Sequence, residues 1–193
     1  MAMKIIAGSA RGRNILTMPK NMMVRPISGR MKQSMFDVLK PRITGAYFLD
    51  LFAGTGAVGL EALSRGALKV CFVEKDPRCI KVVRKNLARL KWEDRATVQR
   101  GNVLGALSWT AHRAGVEAFD LIFLGPPYRD ENNVMLAYSH PVLTNIAKGG
   151  ILAKEGWVIS QHHKREDMGG LRALKRFRCD RYGDSFIPYF RHR

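Results

Sequence analysis

The sequence predicts a doubly wound α/β domain on a mostly parallel sheet, and three observations carry that expectation. From Tyr47 onward, short apolar segments alternate with amphipathic helical segments, the pattern of successive βαβ units. The first apolar segment runs into a Gly-rich turn, Asp50-Leu-Phe-Ala-Gly-Thr-Gly56. A later one, Phe119-Asp-Leu-Ile-Phe-Leu124, stops abruptly at Gly125-Pro126-Pro127-Tyr128. Both turns fall at carboxyl ends of strands, where open α/β sheets place their ligands.

Residues 1–45 read as a basic extension ahead of a domain spanning 46–193, and 193 residues suit one well-buried domain better than two. In the extension, 4–7 and 14–17 form two short strands joined by the basic turn Gly8-Ser-Ala-Arg-Gly-Arg13. Ser28 is placed to cap a helix whose inward face is Met31, Met35, Val38 and Leu39, with Arg30 and Lys32 lying elsewhere and Pro41 closing it.

The first sheet strand spans 47–52 and its helix 57–64, with Gly66 as the carboxyl-terminal cap. The second strand is 69–74. Asp76 caps the next helix with Pro77 at its first position, and Ile80, Val83, Leu87 and Leu90 mark the buried face. Strands follow at 96–100, 119–124 and 157–161, with a helix over 133–147 that Pro141 kinks or breaks. Segments 174–182 and 185–190, around Gly183-Asp184, read as a hairpin.

Lys and Arg number 33 against 16 Asp and Glu, a formal net charge of +17, while 46% hydrophobic residues leave ample material for a core. Such an excess favours phosphates, so a polyanionic partner is expected. Residues 1–42 concentrate it, with nine Lys or Arg and one acid, Asp37. Cys71, Cys79 and Cys179 form neither an even set nor a Cys-x-x-Cys pair, which argues against a disulfide framework or a zinc site. No apolar run approaches the roughly 20 residues of a membrane span, and residues 1–13 lack a secretory apolar stretch. A cytoplasmic monomer without membrane contact is the expectation.

Gly54 and Gly56 allow a sharp turn and close approach of a ligand to the backbone, and Gly59 eases packing of helix on strand. Glu74 ends the second strand where ribose hydroxyls would donate to it, as a nicotinamide dinucleotide would also require. The Pro-Pro pair offers carbonyls and no N–H, which suits a substrate amino group, and Tyr128 supplies a flat ring for a stacked base.

Asp50 through Gly56, followed by Ala-Val-Gly-Leu-Glu-Ala-Leu63, is similar to the first motif of S-adenosylmethionine-dependent methyltransferases. Gly125-Pro-Pro-Tyr128 is similar to the Asp/Asn-Pro-Pro-Tyr/Phe motif of those that methylate exocyclic amines. With Arg25-Pro26-Ile-Ser28-Gly-Arg30 and Tyr182-Gly-Asp-Ser185 added, essentially the whole chain resembles the RsmD family. The resemblance implies a Rossmann-like class I S-adenosylmethionine-dependent methyltransferase fold with an antiparallel carboxyl-terminal hairpin. It implies S-adenosyl-L-methionine as cofactor and a guanine N2 in bacterial small-subunit (16S) ribosomal RNA as target, met as free RNA or in the assembling 30S subunit. It places the methionine end of the cofactor at Asp50, Phe52, Ala53, Gly54, Thr55 and Gly56, the ribose at Glu74 and the adenine at Asn102 and Val103. The target amino group falls to Gly125, Pro126, Pro127 and Tyr128. The basic segment offers Arg11, Arg13, Arg25, Ser28 and Arg30 to RNA, although Ser28 also suits a helix cap, Arg30 a solvated face and Asn102 an ordinary turn.

The chain departs from the family pattern at Gly125, where an acidic acceptor is usual, and at Gly29, Lys32 and Gln33, where Asp, Arg and Glu are common. A lost charge-assisted hydrogen bond is worth about 1.5–3 kcal/mol, or about ten- to a hundredfold in rate. Two alternatives therefore stand beside guanine methylation: an amino-methyltransferase for adenine or cytosine in RNA or DNA, and a catalytically silent RNA-binding assembly factor. His162-His163 reads as a polar strand end without a role.

Overall fold

Strands that are apolar on both faces must be covered on both faces, and the central strands here are. The computed structural model describes residues 3–18 and 27–193, so Arg25 and Pro26 lie outside the described residues. The elements are β1 (Met3–Lys4), β2 (Asn14–Ile15), α1 (Gly29–Ile43), β3 (Tyr47–Leu51), α2 (Ala57–Ser64), β4 (Lys69–Glu74) and α3 (Pro77–Leu90). A 3-10 turn (Glu93–Arg95) leads to β5 (Ala96–Arg100), α4 (Ser108–Ala114), β6 (Phe119–Leu124), α5 (Ser139–Lys148), β7 (Leu152–Ser160), β8 (His162–His163), β9 (Leu174–Tyr182) and β10 (Ser185–His192).

Strands β5, β4, β3, β6 and β7 lie side by side in that order and run parallel, while β10 runs antiparallel to β7, β8 and β9. The chain leaves β3 to one side for β4 and returns on the other as β6. That makes the β3/β6 boundary the topological switch point, and both motif turns sit at its carboxyl-terminal edge. Helices α1, α2 and α3 share one core with the sheet, around Phe36, Leu60, Phe72 and Val83; α4 and α5 cover the opposite face, around Leu107, Ala111, Val142 and Ile146. Ile5, Ala10 and Ile15 of the extension belong to the first of these cores.

Most expected elements are present, with instructive differences. Helix α1 runs through Pro41 to Ile43. The missing N–H costs one bond near the helix end, and packing outweighs it: Ile43 is buried, and Arg42 lies 4.5 Å over the Trp157 ring while donating to the Glu155 carbonyl at 2.8 Å. The helix expected over 133–147 begins only at Ser139. Asp130 Oδ1 accepts the N–H groups of Asn132 and Val134 and holds that stretch as a turn, which leaves Pro141 in the first helical turn, where its missing donor is harmless. Helix α4 had no sequence expectation, and β7 starts five residues earlier than expected, at Leu152.

Lys32 overturns its expected outward placement. It is 2% exposed and pairs with fully buried Glu61 at 2.9 Å. Glu61 also accepts the N–H groups of Ile6 and Ala7 at 2.9 and 3.0 Å and Arg65 Nε at 2.9 Å, tying the extension and α1 to α2. Burial lowers the Lys32 ammonium pKa, although Glu61 opposes that shift. For Glu61, burial pushes upward but the Lys32 charge and the Ile6 N–H outweigh it and hold the carboxyl below its ordinary range.

Candidate active site

The Gly-rich turn is built by its backbone. Phe52 has φ 59°, an uncommon conformation for a bulky side chain, and Gly54 and Gly56 follow at φ 55° and 80°. Phe52 lies parallel to Tyr138, with ring centroids 6.2 Å apart and planes 5° from one another. A Cβ at Gly59 would come within 2.3 Å of the Phe72 ring, so glycine there is what lets α2 settle directly on β4.

Two carboxylates flank the turn. Asp50 Oδ2 accepts the Gly59 N–H at 2.9 Å, and the side chain is 1% exposed. Burial pushes its carboxyl up to about 8; the Gly59 N–H opposes the shift and nearby Glu74 adds to it. Glu74 Oε2 accepts the Gly54 N–H at 2.8 Å, while Oε1 accepts those of Lys75 and Asp76 at 2.8 and 3.0 Å. A carboxylate has roughly four acceptor sites, so Glu74 keeps one open while it shapes the turn. The Glu74 carboxylate, with an Asp50 carboxyl that a nearby cation would help to ionise, is what a ligand bearing a sulfonium and an ammonium would complement, and the residues present therefore fit S-adenosylmethionine. Asn102 Oδ1 accepts the Leu104 N–H at 3.1 Å, the ordinary turn geometry, and Val103 is buried beside it.

The raised Asp50 pKa has a testable consequence. The folded protein holds a proton on Asp50 that the unfolded chain releases above about pH 4, so stability should fall as pH rises from there to about 8 and level off beyond. Asp50→Asn, which keeps an acceptor for Gly59, should flatten this slope in urea titrations at pH 5, 6.5 and 8. A slope unchanged by the substitution would assign it to another group.

The Pro-Pro-Tyr loop lies beside the Gly-rich turn, as the pairing of Leu51 with Leu124 requires, and the Gly125 N–H points to the Leu51 carbonyl at 3.5 Å. Pro126 is buried, Pro127 exposed and Tyr128 half-buried. The Tyr128 hydroxyl donates to Ser185 Oγ at 2.9 Å and accepts from Gln161 Nε2 at 2.8 Å, and His163 meets its ring edge-on at 5.6 Å. The ring is thus fixed by groups from the strand-end segment after β7 and from β10. Gln161 escaped the sequence reading, and His163 was read there only as part of a polar strand end, because pairing across the sheet, which no local pattern records, brings them to Tyr128. His162 is buried against Phe186, and burial lowers its pKa.

At Gly125 the space is limited. An added Cβ would lie 3.0 and 3.1 Å from two Phe123 ring atoms, so any side chain there needs that ring to give by a few tenths of an ångström.

The expected RNA contacts separate into two regions. Ser9 donates its N–H to the Ser64 carbonyl at the far end of eight-residue α2, which places the exposed turn of Arg11 and Arg13 about 12 Å along that helix from the Gly-rich turn. Arg13 reaches the Arg89 carbonyl at 3.0 Å. Ser28 Oγ accepts the Met31 N–H at 3.2 Å and caps α1. Exposed Arg30 shares a helix face with Ser34, four residues on, and Ser34 hydrogen-bonds the Tyr182 hydroxyl; Arg30 therefore belongs to the side of α1 that meets the hairpin turn carrying Ser185.

Among the described residues, no cluster of His, Cys, Asp and Glu could hold a metal, no helix is long and apolar enough to cross a membrane, and all three cysteines are free.

Known proteins are similar to this chain in sequence and in fold. The Bacillus subtilis protein YlbH is 34% identical over 166 residues, 86% of this chain and 85% of its own length. Escherichia coli ribosomal RNA small subunit methyltransferase D is 39% identical over 126 residues, a match spanning 65% of this chain and 60% of that protein. The solved structure of Escherichia coli yhhF superposes with a TM-score of 0.80 at 26% identity, covering 100% of this chain and 98% of its own. The family described as conserved hypothetical protein 95 matches residues 3–191, and the chain belongs to that family, the RsmD family, with its methyltransferase fold.

Proposed function

We propose that this chain is an S-adenosylmethionine-dependent methyltransferase that modifies the exocyclic N2 of a guanine in small-subunit (16S) ribosomal RNA. The observation that carries the reading is the placement of the Gly-rich turn and the Pro-Pro-Tyr loop at adjoining carboxyl ends of β3 and β6, with both carboxylates on the turn. The printed name of the Escherichia coli relative supports ribosomal RNA as the substrate class.

When bound, S-adenosylmethionine would supply a sulfonium methyl carbon to the amino lone pair, with the thioether as leaving group and one amino proton passing to water. Positioning dominates such a transfer. Glu74 and the close-approaching backbone of the Gly-rich turn orient the donor, Tyr128 stacks the base, and the Pro126 carbonyl accepts a hydrogen bond from the amino group. Arg30 near the loop, and Arg11 and Arg13 farther away, hold RNA phosphates, joined by the exposed cations Lys175, Arg176 and Arg181 on β9.

Incubation with labelled cofactor and, separately, unmodified small subunits, naked ribosomal RNA and DNA tests the reading. N2-methylguanosine in small-subunit RNA is the expected product. Methyladenosine or methylcytosine would establish the other amino targets. Tight RNA binding with no transfer at any concentration would favour the silent assembly factor that Gly125 keeps in view.

A further inference from the structure

An amino group presented to the end of β6 needs hydrogen-bond acceptors, and the loop itself carries few. Gly125, Pro126 and Pro127 have no polar side chain, and the Tyr128 hydroxyl is engaged by Ser185 and Gln161. Gln161 directly follows β7, which lies parallel to β6, and its N–H donates to the Leu124 carbonyl at 2.8 Å, locking its backbone against the residue before Gly125. Its Nε2 is spent on Tyr128. Its Oε1 lies 3.9 Å from the point a Cβ on residue 125 would occupy, and among the described residues no donor reaches it.

We propose that Gln161 Oε1, lying beside Gly125 while its Nε2 holds Tyr128, is the side-chain acceptor of a hydrogen bond from the target amino group. The proposal rests on the amino-methyltransferase reading and names how this loop works with glycine in place of an acid. Gln161 joins two tasks in one side chain. Nε2 holds the Tyr128 hydroxyl, and therefore the stacking ring, while Oε1 faces the side of the loop where the side chain of a Gly125→Asp variant would begin. A neutral amide oxygen is a weaker acceptor than a carboxylate, so the expected contribution is modest, about five- to tenfold in rate.

Two measurements test it. In the first, protein labelled with carbon-13 at glutamine carbonyls is titrated with guanosine, inosine, adenosine and cytidine monophosphates in the presence of S-adenosylhomocysteine. The Gln161 signal is assigned by its loss in Gln161→Ala. Guanosine monophosphate should shift that signal and inosine monophosphate, which lacks an amino group, should not. A shift with adenosine or cytidine monophosphate alone would keep Gln161 as the acceptor while overturning guanine as the base. Equal shifts with guanosine and inosine monophosphates, or none with any nucleotide, would overturn the proposal.

In the second, single-turnover methyl transfer on small subunits compares Gln161→Ala, Tyr128→Phe and Gly125→Asp. Gln161→Ala should slow transfer about five- to tenfold, more than Tyr128→Phe, with cofactor affinity unchanged. Gly125→Asp should restore the rate in the Gln161→Ala background once Phe123 yields. Losses that match Tyr128→Phe and resist Gly125→Asp would reduce Gln161 to a support for the ring.

Discussion

Glu61→Ala should destabilise the protein by about 3–5 kcal/mol, the usual cost of breaking a buried ion pair from one side. The substitution strands the Lys32 ammonium, 2% exposed, and leaves the Ile6 and Ala7 N–H groups without their acceptor. Lys32→Met should cost less, because Glu61 keeps Arg65 and both N–H donors. The order of the two losses is thus part of the prediction. Because the folded Glu61 carboxyl titrates below its ordinary range, its stabilisation is present above about pH 4 and is lost as pH falls below that. Urea unfolding of parent and both variants at pH 7 and pH 3.5 measures both effects. A Glu61→Ala loss under about 1 kcal/mol, or a larger one for Lys32→Met, would show that the extension is held chiefly by its apolar contacts.

This network also marks the limit of what the sequence could show. The parallel strands were legible because continuous apolar runs between turn signals have few other solutions, and Lys69–Glu74 and Phe119–Leu124, like the helix Ala57–Ser64, fall where the pattern places them. The Asp76 cap and Pro77 were legible for a local chemical reason. Lys32 was not, because a cation at a helical position reads as solvated until its distant partner is known, and Glu61 is 29 residues away. The same holds at the site. Asp50, Glu74 and the Pro-Pro-Tyr loop announce themselves at strand ends, whereas Gln161 and Ser185 reach Tyr128 only through the packing of β7 and β10 against the sheet.

Glu74→Ala should weaken S-adenosylmethionine binding about a hundredfold, the sum of two losses. One is the acceptor proposed for a ribose hydroxyl. The other is the order of the turn, since Glu74 now fixes the N–H groups of Gly54, Lys75 and Asp76. Hydrogen bonds to a charged group are worth about 1.5–3 kcal/mol, so two such losses at the low end of that range account for about two powers of ten. Glu74→Gln keeps one acceptor oxygen but turns an NH2 toward backbone donors, and should retain only part of the affinity. A second readout separates the role of Glu74 from general damage. Its charge raises the Asp50 pKa, so its removal should shift the pH window of the Asp50 stability slope downward from about 8. Calorimetry with S-adenosylmethionine and urea titrations across pH 4 to 9 give the two quantities on the same variant. Unchanged affinity in a folded Glu74→Ala protein would remove Glu74 from the cofactor site. Lost affinity with an unmoved pH window would mean that Glu74 binds the ligand without coupling to Asp50.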